Sequence, residues 1–182
     1  FVGDGYKKLV ERSLIAYGDK ELTYYKEALD VYNEVFKDCC LYKVEAYEGI
    51  PQLLDFLKEH GILATVLSNK PHQRALENVA HVFGDHTFDK VYGEREALGI
   101  RKKPAPDGVV ALIEELGLKK EDCLYLGDTN PDMETGQAAQ VDTVGVTWGF
   151  RPREELEAFT PKLVADSPFQ VIDYIKAVNH IE

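Results

Sequence analysis

The chain has 182 residues and a formal net charge of -11, with 45% hydrophobic and 29% charged residues. That balance suits one soluble globular domain, or one domain with a small insert, and excludes a disordered, collagen-like or disulfide-scaffold chain. No apolar run approaches the roughly 20 residues that span a bilayer, and a pI near 4.9 argues against a nucleic-acid partner, whose phosphates are held by Lys and Arg.

The N-terminal stretch carries Asp4, Lys7, Lys8 and Glu11, which a signal peptide would not. Leu9, Val10, Leu14, Ile15 and Tyr17 predict a short helix stopping near Gly18. Leu22, Tyr25, Leu29, Tyr32, Phe36 and Cys39 recur at steps of three and four, the stripe of a longer amphipathic helix. These two helices should form a small bundle up to about Tyr47, with the tyrosines as packing residues.

After Tyr47 the pattern changes. Glu48-Gly49-Ile50-Pro51 opens a helix that Gly61 ends. The unbroken apolar run Ile62–Leu67 predicts a strand buried on both faces. Pro71 starts a helix, and Phe88–Tyr92 is a short strand. Pro106 starts a helix closed by Gly117, and Cys123–Leu126 is a strand. Asp132–Ala139 is a helix, Asp142–Thr147 and Leu163–Ala165 are strands, and Pro168–Val178 is the last helix. Strands alternating with helices predict an α/β fold with a mostly parallel sheet, whose ligands bind beyond the carboxyl ends of the strands.

Three segments at such ends carry chemistry. Leu126-Gly127-Asp128-Thr129-Asn130-Pro131-Asp132 sets two carboxylates at a strand end, with Gly127 allowing a sharp turn. Paired carboxylates suit a hard cation such as Mg²⁺. The same residues also read as a polar turn in which Asp128 or Asn130 caps the next helix. Ser68-Asn69 offers a hydroxyl and an amide to phosphate oxygens, or else a plain cap before Pro71. Lys103, in the Pro-rich loop Arg101-Lys102-Lys103-Pro104-Ala105-Pro106, can act as a point charge on a phosphoryl group while adding little to folding, or else belongs to a solvated basic loop. The five histidines and three cysteines show no metal-ligand spacing, and adjacent Cys39 and Cys40 are poorly placed to bridge each other.

Taken in order, Ser68-Asn69, Lys103-Pro104-x-Pro106 and Gly127-Asp128-x-x-x-Asp132 resemble the second, third and fourth motifs of the haloacid dehalogenase-like superfamily of phosphohydrolases. Tyr47-Glu48-Gly49-Ile50 looks like the re-entry segment after that family's helical C1-type cap. Val144-Gly145-Val146-Thr147-Trp148-Gly149-Phe150 and Val2-Gly3-Asp4-Gly5 are similar to segments of its phosphoglycolate phosphatase branch. The resemblance covers essentially the whole chain. It implies a Rossmann-like parallel core over 47–182 and a helical cap over 1–46, with cap residues Gly3, Asp4 and Gly5 near the leaving group.

The implied activity is Mg²⁺-dependent hydrolysis of a small, phosphoglycolate-like phosphate monoester through an aspartyl-phosphate. Ser68 and Lys103 would be the catalytic groups, and Ser68, Asn69 and Lys103 would bind substrate. Asp128 and Asp132 would serve the metal, Asp132 either supporting the metal shell or orienting Lys103. The implied setting is cytoplasmic, with reduced thiols and no membrane, acting on a small phosphorylated metabolite as a monomer or homodimer. The family's first motif, Asp-x-Asp-Gly-Thr after a central strand, has no counterpart in these residues. The sequence therefore reads as lacking the nucleophile and the first core strand, a unit on the order of 30 residues, whose absence would leave two inner strand edges open. A sugar-phosphate mutase or phosphonatase with the same core, and a non-catalytic binding module lacking the nucleophile, are the competing readings. Asp128 and Asp132 weigh against a metal-independent dehalogenase.

Overall fold

A computed structural model describes residue 3 and residues 5–181. Val2 and Asp4 of the Val-Gly-x-Gly segment lie outside the described residues. Two helices come first, α1 (Tyr6–Ala16) and α2 (Tyr25–Cys39). They meet through stacked rings: Tyr6 on Tyr32 at 5.6 Å between centroids, and Tyr32 on Phe36 at 5.2 Å. The apolar stripe at steps of three and four makes that contact possible, because it aligns Tyr32 and Phe36 on one helix face. Leu22, placed in the helix by its spacing, instead lies in the turn before it with φ of 56°. There the Asp19 carboxylate accepts hydrogen bonds from the Thr23 and Tyr24 amides.

The rest alternates helix and strand: α3 (Ile50–Glu59), β1 (Thr65–Pro71), α4 (His72–Phe83), β2 (Lys90–Glu94), α5 (Asp107–Leu116), β3 (Leu124–Gly127), α6 (Asn130–Ala139), β4 (Asp142–Val146), α7 (Arg153–Glu157), β5 (Leu163–Ala165) and α8 (Pro168–Asn179). β1 starts three residues later than the apolar run suggests and extends through Ser68, Asn69 and Lys70 to Pro71. Ile62 and Leu63 precede it, and Ile62 packs against the core beneath the sheet. α6 begins at Asn130, two residues earlier than expected, because Thr129 rather than Asp128 or Asn130 is its N-cap. The short helix α7 was not anticipated. Its sequence Arg-Glu-Glu-Leu-Glu carries one fully buried apolar side chain, Leu156, too little for a periodicity to register.

Every strand pair is parallel: β1 with β2, β3 with β4, and β4 with β5. They form two hydrogen-bonded sets, β1-β2 and β3-β4-β5. β4, flanked on both sides, is buried from Thr143 to Val146. β1 and the first three residues of β3 are only half-buried, each strand pairing on one side.

Helices cover both faces of the three-stranded set. On one face Leu53 and Phe56 of α3 and Val171 and Ile175 of α8 pack with Val144, Val146 and Ala165. On the other, Val109 of α5 and Ala139 of α6 pack with Val141, Leu67 and Tyr125. Burying a side chain such as Val144 or Val171 stabilises the fold by about 1.5–3 kcal/mol. This two-sided burial holds the loops at the strand ends rigid enough to carry a site.

Candidate active site

The carboxyl ends of β1 and β3 face one cleft of about 590 Å³, closed from the other side by α1 and α2. Ser68, Asn69, Lys103, Asp128 and Asp132 all line it. Sequence positions 68, 103 and 128 therefore converge in space, although no two lie within 24 residues of each other in the chain.

Lys103 is the centre of the arrangement. Its ammonium donates to Asp132 Oδ1 at 2.6 Å and to the Leu67 carbonyl at 3.3 Å. Leu67 is on β1, so the lysine bonds a strand-end carbonyl and reaches across to the β3–α6 loop. An ammonium has three hydrogens, and these two bonds leave one for another acceptor. The Lys103 side chain is 13% exposed and Asp132 5%. Lys103 is therefore not part of a solvated loop, and its buried ion pair also goes against the expectation that it adds little to folding. Its peptide bond to Pro104 is cis.

Asp132 spends both oxygens on protein donors. Oδ1 accepts from Lys103 and from the Tyr125 hydroxyl at 3.2 Å. Oδ2 accepts from the Thr129 amide at 3.1 Å and the Thr129 hydroxyl at 2.5 Å, closing a capping box at the start of α6. Burial pushes this carboxyl up, but the Lys103 charge and hydrogen bond, then Thr129 and Tyr125, outweigh it and hold it below the ordinary value. With its acceptor sites taken, Asp132 does not fit a direct metal ligand. It holds Lys103.

Asn69 is also occupied. Its Nδ2 donates to the Lys103 carbonyl at 3.0 Å and the Gly3 carbonyl at 3.3 Å, and its Oδ1 accepts from the Lys103 amide at 2.8 Å. No side-chain hydrogen is left for a phosphoryl oxygen, so the expectation that this side chain binds substrate does not hold. Asn69 ties the Lys103 loop to β1 and to the segment before α1. Ser68 differs: its Oγ accepts from the Lys70 amide at 3.1 Å and keeps its own hydrogen to donate.

Asp128 is the cleft carboxylate that protein donors leave least occupied. Oδ2 accepts from the Phe150 amide at 2.9 Å. Burial raises its pKa and the Asp132 charge adds to this, while the Phe150 amide and Lys103 oppose. A carboxylate destabilised by burial and by a like charge is relieved by a cation. Two residues on, Asn130 Oδ1 is buried and accepts no hydrogen bond. A carboxylate oxygen is the donor type that a hard cation such as Mg²⁺ takes, so Asp128 fits that group. Among the described residues no three His, Cys, Asp or Glu side chains gather into a metal-binding group.

Two glycines make room for this geometry. A Cβ on Gly127 would lie 2.1 Å from Asp132 Cβ, and one on Gly149 would lie 2.1 Å from Asp128 Oδ2. Gly127 has no positive φ, so close approach, not the sharp turn suggested by the sequence, requires glycine there. The contributions of Gly149, Phe150, Thr129 and Tyr125 were not read from the sequence as site residues. The Trp148-Gly149-Phe150 segment stood out only by its resemblance.

The haloacid dehalogenase-like hydrolase family model matches residues 1–146. A phosphoglycolate phosphatase of Psychrobacter arcticus is 30% identical over 183 residues, covering 96% of this chain and 77% of that protein. A phosphoglycolate phosphatase of Colwellia psychrerythraea is 29% identical, covering 92% and 75%. The crystal structure of a Lactobacillus delbrueckii protein assigned as a phosphoglycolate phosphatase superposes with a TM-score of 0.86 at 29% identity, over 96% of this chain and 80% of that one. With a parallel α/β core, a helical segment over the strand ends and the three motifs in one cleft, the chain belongs to the haloacid dehalogenase-like hydrolase family.

Proposed function

We propose that this protein is a Mg²⁺-dependent phosphatase of a small, phosphoglycolate-like monoester, working through an aspartyl-phosphate. Residues 1–46 would be the cap over a core of 47–182, in a cytoplasmic protein whose cysteines are free. The observation that carries this reading is the Lys103 ammonium, fixed by Asp132 and Leu67 with one hydrogen left over and facing the same cleft as the Ser68 hydroxyl.

Ser68 would donate to one phosphoryl oxygen and Lys103 to another. As the bond to the leaving oxygen breaks, negative charge grows on the phosphoryl oxygens, and a lysine already in place stabilises it without reorganising. Asp132 keeps Lys103 aimed. Asn69 fixes the backbone on which Lys103 is mounted. Asp128 would hold Mg²⁺, which when bound neutralises phosphoryl charge. The attacking carboxylate that the family mechanism needs is not within the 182 residues, which contain no Asp-x-Asp. The helical segment would shield the reacting group from bulk water.

The test is phosphate release from 2-phosphoglycolate by the natural protein, with Mg²⁺ and after EDTA. Hydrolysis that EDTA abolishes and that Lys103→Ala lowers by orders of magnitude is expected. Hydrolysis surviving either change within a few-fold overturns the reading.

A further inference from the structure

The cleft is electropositive in an acidic protein. Among the described residues its charged lining is Lys37, Lys70, Arg74 and Lys103 against Asp128 and Asp132, while the chain as a whole carries -11. Lys103 is matched by Asp132, and Arg74 pairs with Glu77 at 2.6 Å. Lys70 is different. Its ammonium is half-buried, donates to the neutral Asn78 Oδ1 at 2.7 Å, and lies 5.6 Å from the centre of the Phe36 ring. Among the described residues no carboxylate pairs with it. Burial lowers its pKa, with Cys40 opposing, so the site holds the charge at a cost. Burying an unpaired ammonium is unfavourable unless an anion completes it.

We propose that Lys70, with Arg74 in the first turn of α4 and Lys37 on α2, binds a carboxylate carried by the leaving group, so that the substrates are phosphate esters of short hydroxy acids. This rests on the phosphatase reading and adds the residues that select the substrate. Ser68 and Lys70 are two positions apart on β1, in the stretch where its pairing with β2 shifts register. Both line the cleft. A phosphoryl group at Ser68 and Lys103 thus has Lys70 and Arg74 in the same cleft for the far end of its ester. Arg74 has five N–H donors, and its bond to Glu77 leaves a face of the guanidinium for a planar carboxylate. The Phe36 ring, brought by α2, lies against Lys70 and strengthens the ionic contact by excluding water.

Calorimetric titration separates this inference from its parent. The natural protein, Lys70→Met and Arg74→Gln are titrated in EDTA with 2-phosphoglycolate, ethyl phosphate and inorganic phosphate, and again with Mg²⁺ for inorganic phosphate. Ethyl phosphate matches the glycolate ester but ends in a methyl. The unsubstituted protein should prefer 2-phosphoglycolate by at least about tenfold. That ratio should fall to about one in Lys70→Met and part of the way in Arg74→Gln. Equal affinity for the two esters, or an unchanged ratio in both variants, overturns the proposal and leaves the phosphate site standing. Failure to bind inorganic phosphate in either buffer overturns the phosphatase reading and this proposal with it. Should Lys70→Met lose its thermal transition, Arg74→Gln decides alone.

Discussion

Asn69 holds Lys103 by the backbone from both directions, accepting from its amide at 2.8 Å and donating to its carbonyl at 3.0 Å. The two residues stand 34 positions apart, yet they close a ring of the kind two paired strands make. The lysine is thereby fixed at both ends, by Asn69 at the main chain and by Asp132 at the ammonium.

Asn69→Ala should therefore act as loss of a positioning residue. Two part-buried backbone groups of Lys103 lose their partner, which costs about 1–3 kcal/mol. Turnover should fall much more than apparent substrate affinity. Steady-state kinetics beside a thermal melt checks this; a rise in KM with kcat unchanged would mean that Asn69 binds substrate after all.

Lys103→Met should remove activity and also destabilise the fold by about 3–5 kcal/mol, because it strands the Asp132 carboxylate in a buried position. Adding Asp132→Asn should recover much of that stability and none of the turnover. Urea unfolding of the two single variants and the double variant measures the coupling. No change in stability for Lys103→Met would restore the solvated-loop reading.

Asp128→Asn should weaken Mg²⁺ binding by at least about tenfold, as expected when a hard cation loses its charged ligand. Gly149→Ala should do nearly the same without touching a ligand, since its new methyl meets Asp128 Oδ2 and must displace it. That displacement should cost about 1–3 kcal/mol of stability. Calorimetric Mg²⁺ titration of both variants is the check, and unchanged affinity in Asp128→Asn would remove this residue from the metal site.

Arg101 and Asp107 tie together the two ends of the Lys103 loop. Asp107 Oδ2 accepts from the Arg101 amide at 3.1 Å and from Nε at 2.9 Å, and Oδ1 accepts from the guanidinium at 2.8 Å. The side-chain bond first, then the backbone bond from Arg101, lower the Asp107 pKa from 3.8 to about 2. A lowered carboxylate pKa adds stability above the unfolded value, and that stability is lost as pH falls from 3.8 toward 2. Arg101→Ala should move the Asp107 titration, followed by carboxyl NMR, back toward 3.8. A midpoint that stays near 2 would show that Arg101 is not the cause.

The alternation of strand and helix, the parallel sheet and the three motif positions were legible in the sequence, because each depends on local periodicity or on residues adjacent in the chain. The parting of roles among the motif residues was not. Asn69 and Asp132 have the right chemistry for a phosphate and a metal, and only the fold shows their oxygens and hydrogens already engaged, in part by Lys103, 34 and 29 positions away. The same holds for Gly149, whose missing side chain matters because Asp128 comes to rest against it. Lys70 reads as one more charged residue until Phe36, from a different helix, is seen beside it. Composition and spacing determine which groups are available and on which element. Which of them remain free to act is decided by hydrogen bonds and close contacts between distant segments, and those exist only once the chain has folded.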